Sequence, residues 1–265
     1  MFVDILLRQF VLFSLPKFYG GKPSLSRFFF TAAAKRGILC CKGVTAVKVL
    51  FIGNSYTYYN DLPSLFSRLC GCNGKQVLAL SVTKGGRKLH ENLDPADETT
   101  VELEAVLREH TVDICVLQEH SVLPITDFDR FSASVKALME KVGAGRYSLY
   151  QTWGRKAGAK FLRDEGLDTR TMALKLRDGY TKVAETYGTD RAPVGLCFLE
   201  VYEKHADIDL YDPDLTHPSY AGSCLSAITH YRTLWGELPA DLSCFDLPEE
   251  TKQVFLDTVK AVCGE

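Results

Sequence analysis

The sequence predicts an α/β sandwich: a parallel sheet of about five strands, with helices covering both faces. Three observations carry this prediction. From Val47 onward, short β-branched or aromatic runs alternate with longer stretches of helical periodicity, and such alternation builds βαβ crossovers and hence a parallel sheet. The chain has 265 residues, 46% of them hydrophobic, which suffices for a substantial core and excludes a wholly disordered chain. No repeat, low-complexity tract or linker interrupts residues 47–265, so they read as one domain.

The first strand is VKVLFIG (47–53), a buried run ending in glycine. Asp61-Leu-Pro63 supplies a cap and an early proline for a helix running to about Cys72. KQVLALSV (75–82) is a second strand, 98–109 a second helix, and VDICVLQ (112–118) a third strand. A helix over 127–142 is closed by Gly143, and YSLYQ (147–151) is a fourth strand. Met172, Leu176, Tyr180, Val183 and Tyr187 mark one face of a helix over 169–188. APVGLCF (192–198) reads as a fifth strand, followed by helices over 219–235 and 248–262.

The formal net charge is −2, but it is unevenly spread: residues 1–46 carry seven basic residues against Asp4 alone, leaving −8 for the remainder. The expectation is a basic extension over 1–46 outside the fold and a catalytic domain over 47–265. Its basic, acid-poor character and its Ala32-Ala33-Ala34 stretch are also compatible with a leader for organellar or secretory targeting. The near-neutral balance argues against nucleic acid as a partner, and no run of 18 apolar residues offers a transmembrane segment. Several of the nine cysteines, such as Cys115 and Cys197, sit inside apolar stretches, where cysteine acts as a small hydrophobe. A reducing, cytoplasmic location is expected on that ground. Oligomeric state is not legible.

In such a sheet function lies in the loops at the carboxyl ends of the strands. The first of these reads Gly53-Asn54-Ser55-Tyr56-Thr57. A serine on a strand-to-helix turn has the exposed hydroxyl that a nucleophile needs, although the same tripeptide also suits an ordinary helix cap. The last loop, Leu210 to Ser219, contains Asp214 and His217 three residues apart. One such segment can supply both the imidazole that takes a serine proton and the carboxylate that holds its tautomer; alternatively the aspartate merely builds a turn.

Together FIGNS at the end of the first strand and DLTHPS near the C-terminus resemble the SGNH/GDSL hydrolase superfamily, whose first block is Gly-Asn-Ser in some branches and whose last is Asp-x-x-His. The resemblance extends over about 47–235. It implies a three-layer α/β/α hydrolase of flavodoxin-like topology, with Ser55 as nucleophile, His217 as general base and acid, and Asp214 as the orienting acid. It also implies an oxyanion hole made by the backbone N–H groups of Ser55 and Gly86, with Gly85 as the alternative glycine. The third block usually offers Gly-x-Asn; here Leu117-Gln118-Glu119 stands in its place, and Gln118 carries the same amide for a third donor. No cofactor or metal is required by this chemistry.

Aromatic residues near the expected mouth are Tyr56, Tyr58, Tyr59 and Trp153, and rings of this kind stack on sugars or fill space. Asn54, Tyr56 and Trp153 are the candidate substrate-binding residues. The expected activity is hydrolysis of a small acyl ester, acetyl foremost, on a small molecule or carbohydrate. The alternatives are a flavodoxin-like phosphate- or nucleotide-binding module and a catalytically degenerate scaffold. His90, His110, His205 and His230 receive no role; His120 lies nearer the expected site, but no partner that would position it as a base is evident.

Overall fold

The computed structural model describes residues 45–264; the basic extension lies, apart from its last two residues, outside them. In chain order the elements are β1 (Val47–Gly53), α1 (Ser55–Tyr58), α2 (Leu62–Cys72), β2 (Val77–Thr83), α3 (Glu98–Glu109), β3 (Ile114–Leu117), α4 (Leu123–Thr126) and α5 (Phe128–Val142). There follow β4 (Arg146–Tyr150), α6 (Lys160–Asp164), α7 (Thr169–Tyr187), β5 (Asp190–Ala192), α8 (Val194–Lys204), α9 (Tyr220–Trp235) and α10 (Glu249–Cys263). The five strands form one parallel sheet in the order β2-β1-β3-β4-β5.

Alternation along β1 separates two cores. Val49 and Phe51 pack with α2, α8, α9 and α10, whereas Leu50 and Ile52 pack with α3, α5 and α7. All four are fully buried, the signature of a strand covered on both faces. The order of strands places a switch between β1 and β3, where the chain runs outward to β2 and then returns across the sheet. Loops leaving β1 and β3 diverge there, which opens a crevice at their carboxyl ends.

Two local expectations are corrected. Residues 192–198 are not a strand: β5 ends at Ala192, and Val194 begins α8. Pro193 has no N–H to extend a ladder, while Val194, Cys197, Phe198 and Val201 are buried at helical spacing. Asp61 does not cap α2 with its side chain; it and Asn60 take left-handed backbone angles, with φ of 53° and 54°. Asn60 is instead tied across the molecule by its Nδ2, which donates to the Pro218 carbonyl at 3.1 Å and to Ser223 Oγ at 2.9 Å. No helix of the described residues is long and apolar enough to cross a membrane.

His230 on α9 is fully buried, and neither ring nitrogen has a hydrogen-bond partner among the described residues. Its ring meets Tyr150, Phe51 and Phe66 edge to face, at 4.5, 5.8 and 6.5 Å between centroids. Burial pushes its pKa down to about 3, while in the unfolded chain it titrates near the ordinary value of about 6.5. Between those values the unfolded state binds the extra proton, so the stability associated with neutral His230 is complete above about pH 6.5 and is lost as the pH falls towards 3. Urea unfolding at pH 7 and pH 5 checks this: the midpoint of the native protein falls between the two, and His230→Phe loses clearly less. Equal losses in both proteins would contradict it.

Candidate active site

The turn after β1 is shaped by a close approach. A Cβ on Gly53 would lie 2.5 Å from Thr57 Oγ1 and 2.6 Å from Gln118 Oε1, so only glycine fits. Asn54 caps α1, its Oδ1 accepting from the Tyr56 N–H at 3.1 Å, and its Nδ2 donates to the Arg87 carbonyl at 2.8 Å. That second bond ties the β1 loop to the β2 loop. The first residue of α1 is Ser55, and its backbone N–H has no acceptor among the described residues.

The Ser55 hydroxyl lies 2.8 Å from His217 Nε2. On the other side of the ring, Nδ1 is hydrogen-bonded to Asp214 Oδ2. With Nδ1–H donating to the carboxylate, Nε2 is the free acceptor for the serine proton. Asp214 also builds the turn: its Oδ1 accepts from the backbone N–H groups of Thr216 and His217, both at 2.9 Å. Burial pushes the Asp214 carboxyl up, but the His217 ring and these two amides outweigh it and hold the pKa below the ordinary value. One carboxylate therefore both makes the turn and meets the ring. Tyr59 stacks flat on the imidazole at 4.2 Å and 9°, and Tyr56 meets it edge-on at 5.6 Å.

Ser55 and His217 open on a cavity of about 200 Å³ that Asn54, Tyr56, Gly86, His120, Ser121, Arg155 and Thr216 also line. Gly86 has φ of 68°, a conformation that costs glycine little, and its N–H makes no bond to a described residue. A larger cavity of about 300 Å³, lined by Lys156, His205, Asp209 and Tyr211 among others, contains no comparable hydroxyl–imidazole pair.

Three expected site residues are placed differently. Gln118 does not face the cavity. It is fully buried, its Oε1 accepting from the Asn54 N–H and the Thr57 hydroxyl at 2.9 Å each, and its Nε2 donating to the Glu119 carbonyl at 2.6 Å. Its amide holds the serine loop instead of offering a donor to the cavity. Trp153 is fully buried too, stacked between Tyr56 (4.4 Å) and Phe198 (4.2 Å), with its Nε1–H donating to the Thr216 carbonyl at 3.1 Å. It steadies the His217 loop and presents no face to a ligand. Asn54 lines the cavity, but both ends of its amide are taken up in the turn.

Sequence reasoning set His120 near the site without a role and missed Ser121 and Arg155; all line the cavity. All three follow strand ends, His120 and Ser121 after β3 and Arg155 after β4, and the strand-end rule alone pointed to them. It also missed Glu119, a fully buried carboxylate whose pKa burial pushes up to about 7, against the backbone N–H groups of His120 and Leu89 that its Oε1 accepts.

No family model and no curated protein matches the sequence; solved structures do. A candidate SGNH hydrolase from Slackia heliotrinireducens superposes with a TM-score of 0.63 at 30% identity, the match covering 72% of this chain and 100% of that one. A DUF4886 family protein from Bacteroides uniformis matches with a TM-score of 0.70 at 17% identity, over 83% and 95% of the two chains. A variant of an acetyl-xylooligosaccharide esterase from Geobacillus stearothermophilus matches at 0.52 and 17%, over 71% and 93%. The last two share the fold. With identity at this level over the full length of the Slackia protein, on a five-stranded sheet of matching architecture, the chain belongs to the SGNH hydrolases.

Proposed function

We propose that the protein is a serine esterase that removes small acyl groups, acetyl foremost, from a carbohydrate or another small alcohol. The observation that carries this reading is the hydrogen-bonded row Ser55–His217–Asp214 opening on a cavity of about 200 Å³. Such a volume lies below the roughly 300–1,000 Å³ of pockets for larger ligands and suits a short acyl chain. Acetyl xylan esterases are among the proteins that share this fold.

In this reading His217 Nε2 takes the Ser55 proton as the oxygen attacks the ester carbonyl, and Asp214 stays ionised to stabilise the imidazolium. The unengaged N–H groups of Ser55 and Gly86 bind the oxyanion, each worth about 3 kcal/mol. His217 then returns the proton to the leaving alcohol, and water attacks the acyl-enzyme by the same route. Gln118 takes no direct part; it holds the turn from which Ser55 and its N–H are presented.

Labelling with a fluorophosphonate probe tests the assignment. An adduct forms on Ser55, none forms in Ser55→Ala, and ester turnover in His217→Ala falls by roughly 10³-fold or more. An unlabelled, folded wild-type protein would leave the scaffold reading standing. Gln118→Met separates a positioning role from oxyanion donation: it strips acceptors from the Asn54 N–H and the Thr57 hydroxyl, at about 1–3 kcal/mol for each buried group. Its melting temperature therefore falls by several degrees together with its activity, whereas a pure donor would lower kcat and leave melting unchanged. Tyr59→Ala removes the ring stacked on His217, an interaction of about 1 kcal/mol where partly exposed. Turnover and labelling rate both decline by several-fold, with melting nearly unaltered; unchanged kinetics would show that the stack is incidental.

A further inference from the structure

Arg155, in the loop after β4, lines the same cavity as Ser55 and Gly86. Its Nη2 donates to Ser121 Oγ at 3.1 Å, its charge also meets the Tyr56 hydroxyl, and its Nε is buried without a partner. The guanidinium rests on the Phe161 ring, 5.0 Å from the centroid, which holds its plane. No carboxylate of the described residues pairs with it. Arg87 shows the contrast: buried at the neighbouring loop, where Arg155 is half-buried, it meets Asp97, Glu91 and Thr99 together. A guanidinium taken out of water without a counter-charge is costly, and its planar fork of donors matches an oxyacid bidentately.

The rest of the cavity is consistent with an anionic guest. The Tyr56 hydroxyl is buried beside Ser121 and Arg155, His120 Nδ1 is buried with no hydrogen-bond partner, and no acidic side chain of the described residues lines the space. The nearest acids are engaged elsewhere, Asp214 behind the His217 ring and Glu119 on the Leu89 and His120 amides. Burial and then the charge of Arg155 both hold the His120 pKa below its ordinary value, which places that charge within reach of the cavity wall. On the alcohol or the acyl side of a bound ester, a carboxylate would find Arg155 and Ser121 on the cavity wall.

We propose that Arg155, with Ser121, forms an anion subsite beside Ser55, and that the natural substrate is an ester bearing a carboxylate group close to the scissile bond. The substrate class rests on the esterase reading of Ser55; the subsite itself does not.

Two matched ester pairs test the substrate: 4-nitrophenyl hemisuccinate against 4-nitrophenyl butyrate for an acyl-side charge, and 3-carboxyphenyl acetate against 3-carbamoylphenyl acetate for an alcohol-side charge. In one pair kcat/KM favours the anion by roughly tenfold, the equivalent of one charge-assisted contact. The preference resides in KM, shrinks with added salt, disappears in Arg155→Gln and partly returns in Arg155→Lys. Near-equal rates within both wild-type pairs would overturn it. So would an equal fall in kcat on all four esters in Arg155→Gln, which would make Arg155 an oxyanion donor. Calorimetric titration of Ser55→Ala with benzoate and inorganic phosphate reads the subsite without turnover. Benzoate binding that Arg155→Gln abolishes in the Ser55→Ala background supports the subsite even if no ester is cleaved, whereas absence of benzoate binding, or binding of phosphate alone, overturns the carboxylate assignment. Failure of the esterase reading shows separately, as unlabelled Ser55 in a protein that still binds benzoate.

Discussion

The placement of Ser55 depends on one buried carboxamide. Gln118 leaves β3 with its backbone N–H still bonded to the Ile52 carbonyl of β1 at 2.9 Å, so its side chain is delivered directly beneath the turn after β1. There its Oε1 accepts from both the Asn54 N–H and the Thr57 hydroxyl. Two donors that the start of α1 would otherwise leave unpaired converge on one oxygen from a neighbouring strand. The room for that oxygen exists because Gly53 lacks a Cβ. The glycine, the threonine and the glutamine thus form one packing unit across β1 and β3, and the serine sits on top of it. The Gly-Asn-Ser turn and the glutamine after β3 are thus coupled through these two bonds.

The His217 loop is held by a different logic, because it belongs to no strand. Its backbone is pinned from four directions: Lys156 N–H to the Leu215 carbonyl at 2.9 Å, Trp153 Nε1–H to the Thr216 carbonyl at 3.1 Å, Asn60 Nδ2–H to the Pro218 carbonyl at 3.1 Å, and a bridge between Tyr211 and Pro218. Leu215 takes φ of 65°, a strained angle for a residue with a side chain, and these bonds on either side of it keep it there. Asn60 matters twice, since it lies in the segment that also carries Tyr59. The ring that stacks on His217 and the bond that fixes the His217 loop therefore come from the same short stretch after the serine. Serine and imidazole, 162 residues apart in sequence, are brought to hydrogen-bonding distance by contacts made just outside them.

This division explains what was legible in the sequence. Alternating apolar runs placed four of the five strands and the long helices, because burial on two faces imposes a pattern that local residues display. The fifth strand was misplaced because APVGLCF contains a strand end and a helix start in one apolar run; only the continued helical spacing through Val201 distinguishes them. Ser55, Asp214 and His217 could be picked out because their chemistry requires particular residue types at particular turns. The duties of Gln118 and Trp153 could not, since an amide or an indole serves equally well inward or outward. Which way each points is decided by partners distant in sequence, the Asn54 N–H and Thr57 for Gln118, Phe198 and the Thr216 carbonyl for Trp153. Arg155 escaped for a related reason: its significance lies in the carboxylate it lacks, and a missing partner leaves no mark in the chain.

The distribution of unpaired polar groups separates structure from chemistry in this molecule. Around the serine turn most donors and acceptors find a partner, including Asn54 at both ends of its amide and Gln118 likewise. The N–H of Ser55 and of Gly86, Arg155 Nε and His120 Nδ1 are left over in residues that line one small cavity, while others, such as Ser148 Oγ, Thr189 Oγ1 and both His230 nitrogens, lie elsewhere. His230 shows that an orphaned group need not mean a site: it is fully buried in an aromatic enclosure, and burial keeps it neutral. The cavity beside Ser55 differs because the residues that carry such groups, Ser55, Gly86 and Arg155 among them, border open volume. Donors so arranged in a low-dielectric pocket create a positive potential without a protein counter-charge. That potential is suited to the negative charge that develops on an ester oxygen during attack, and to a second negative charge that the substrate brings with it.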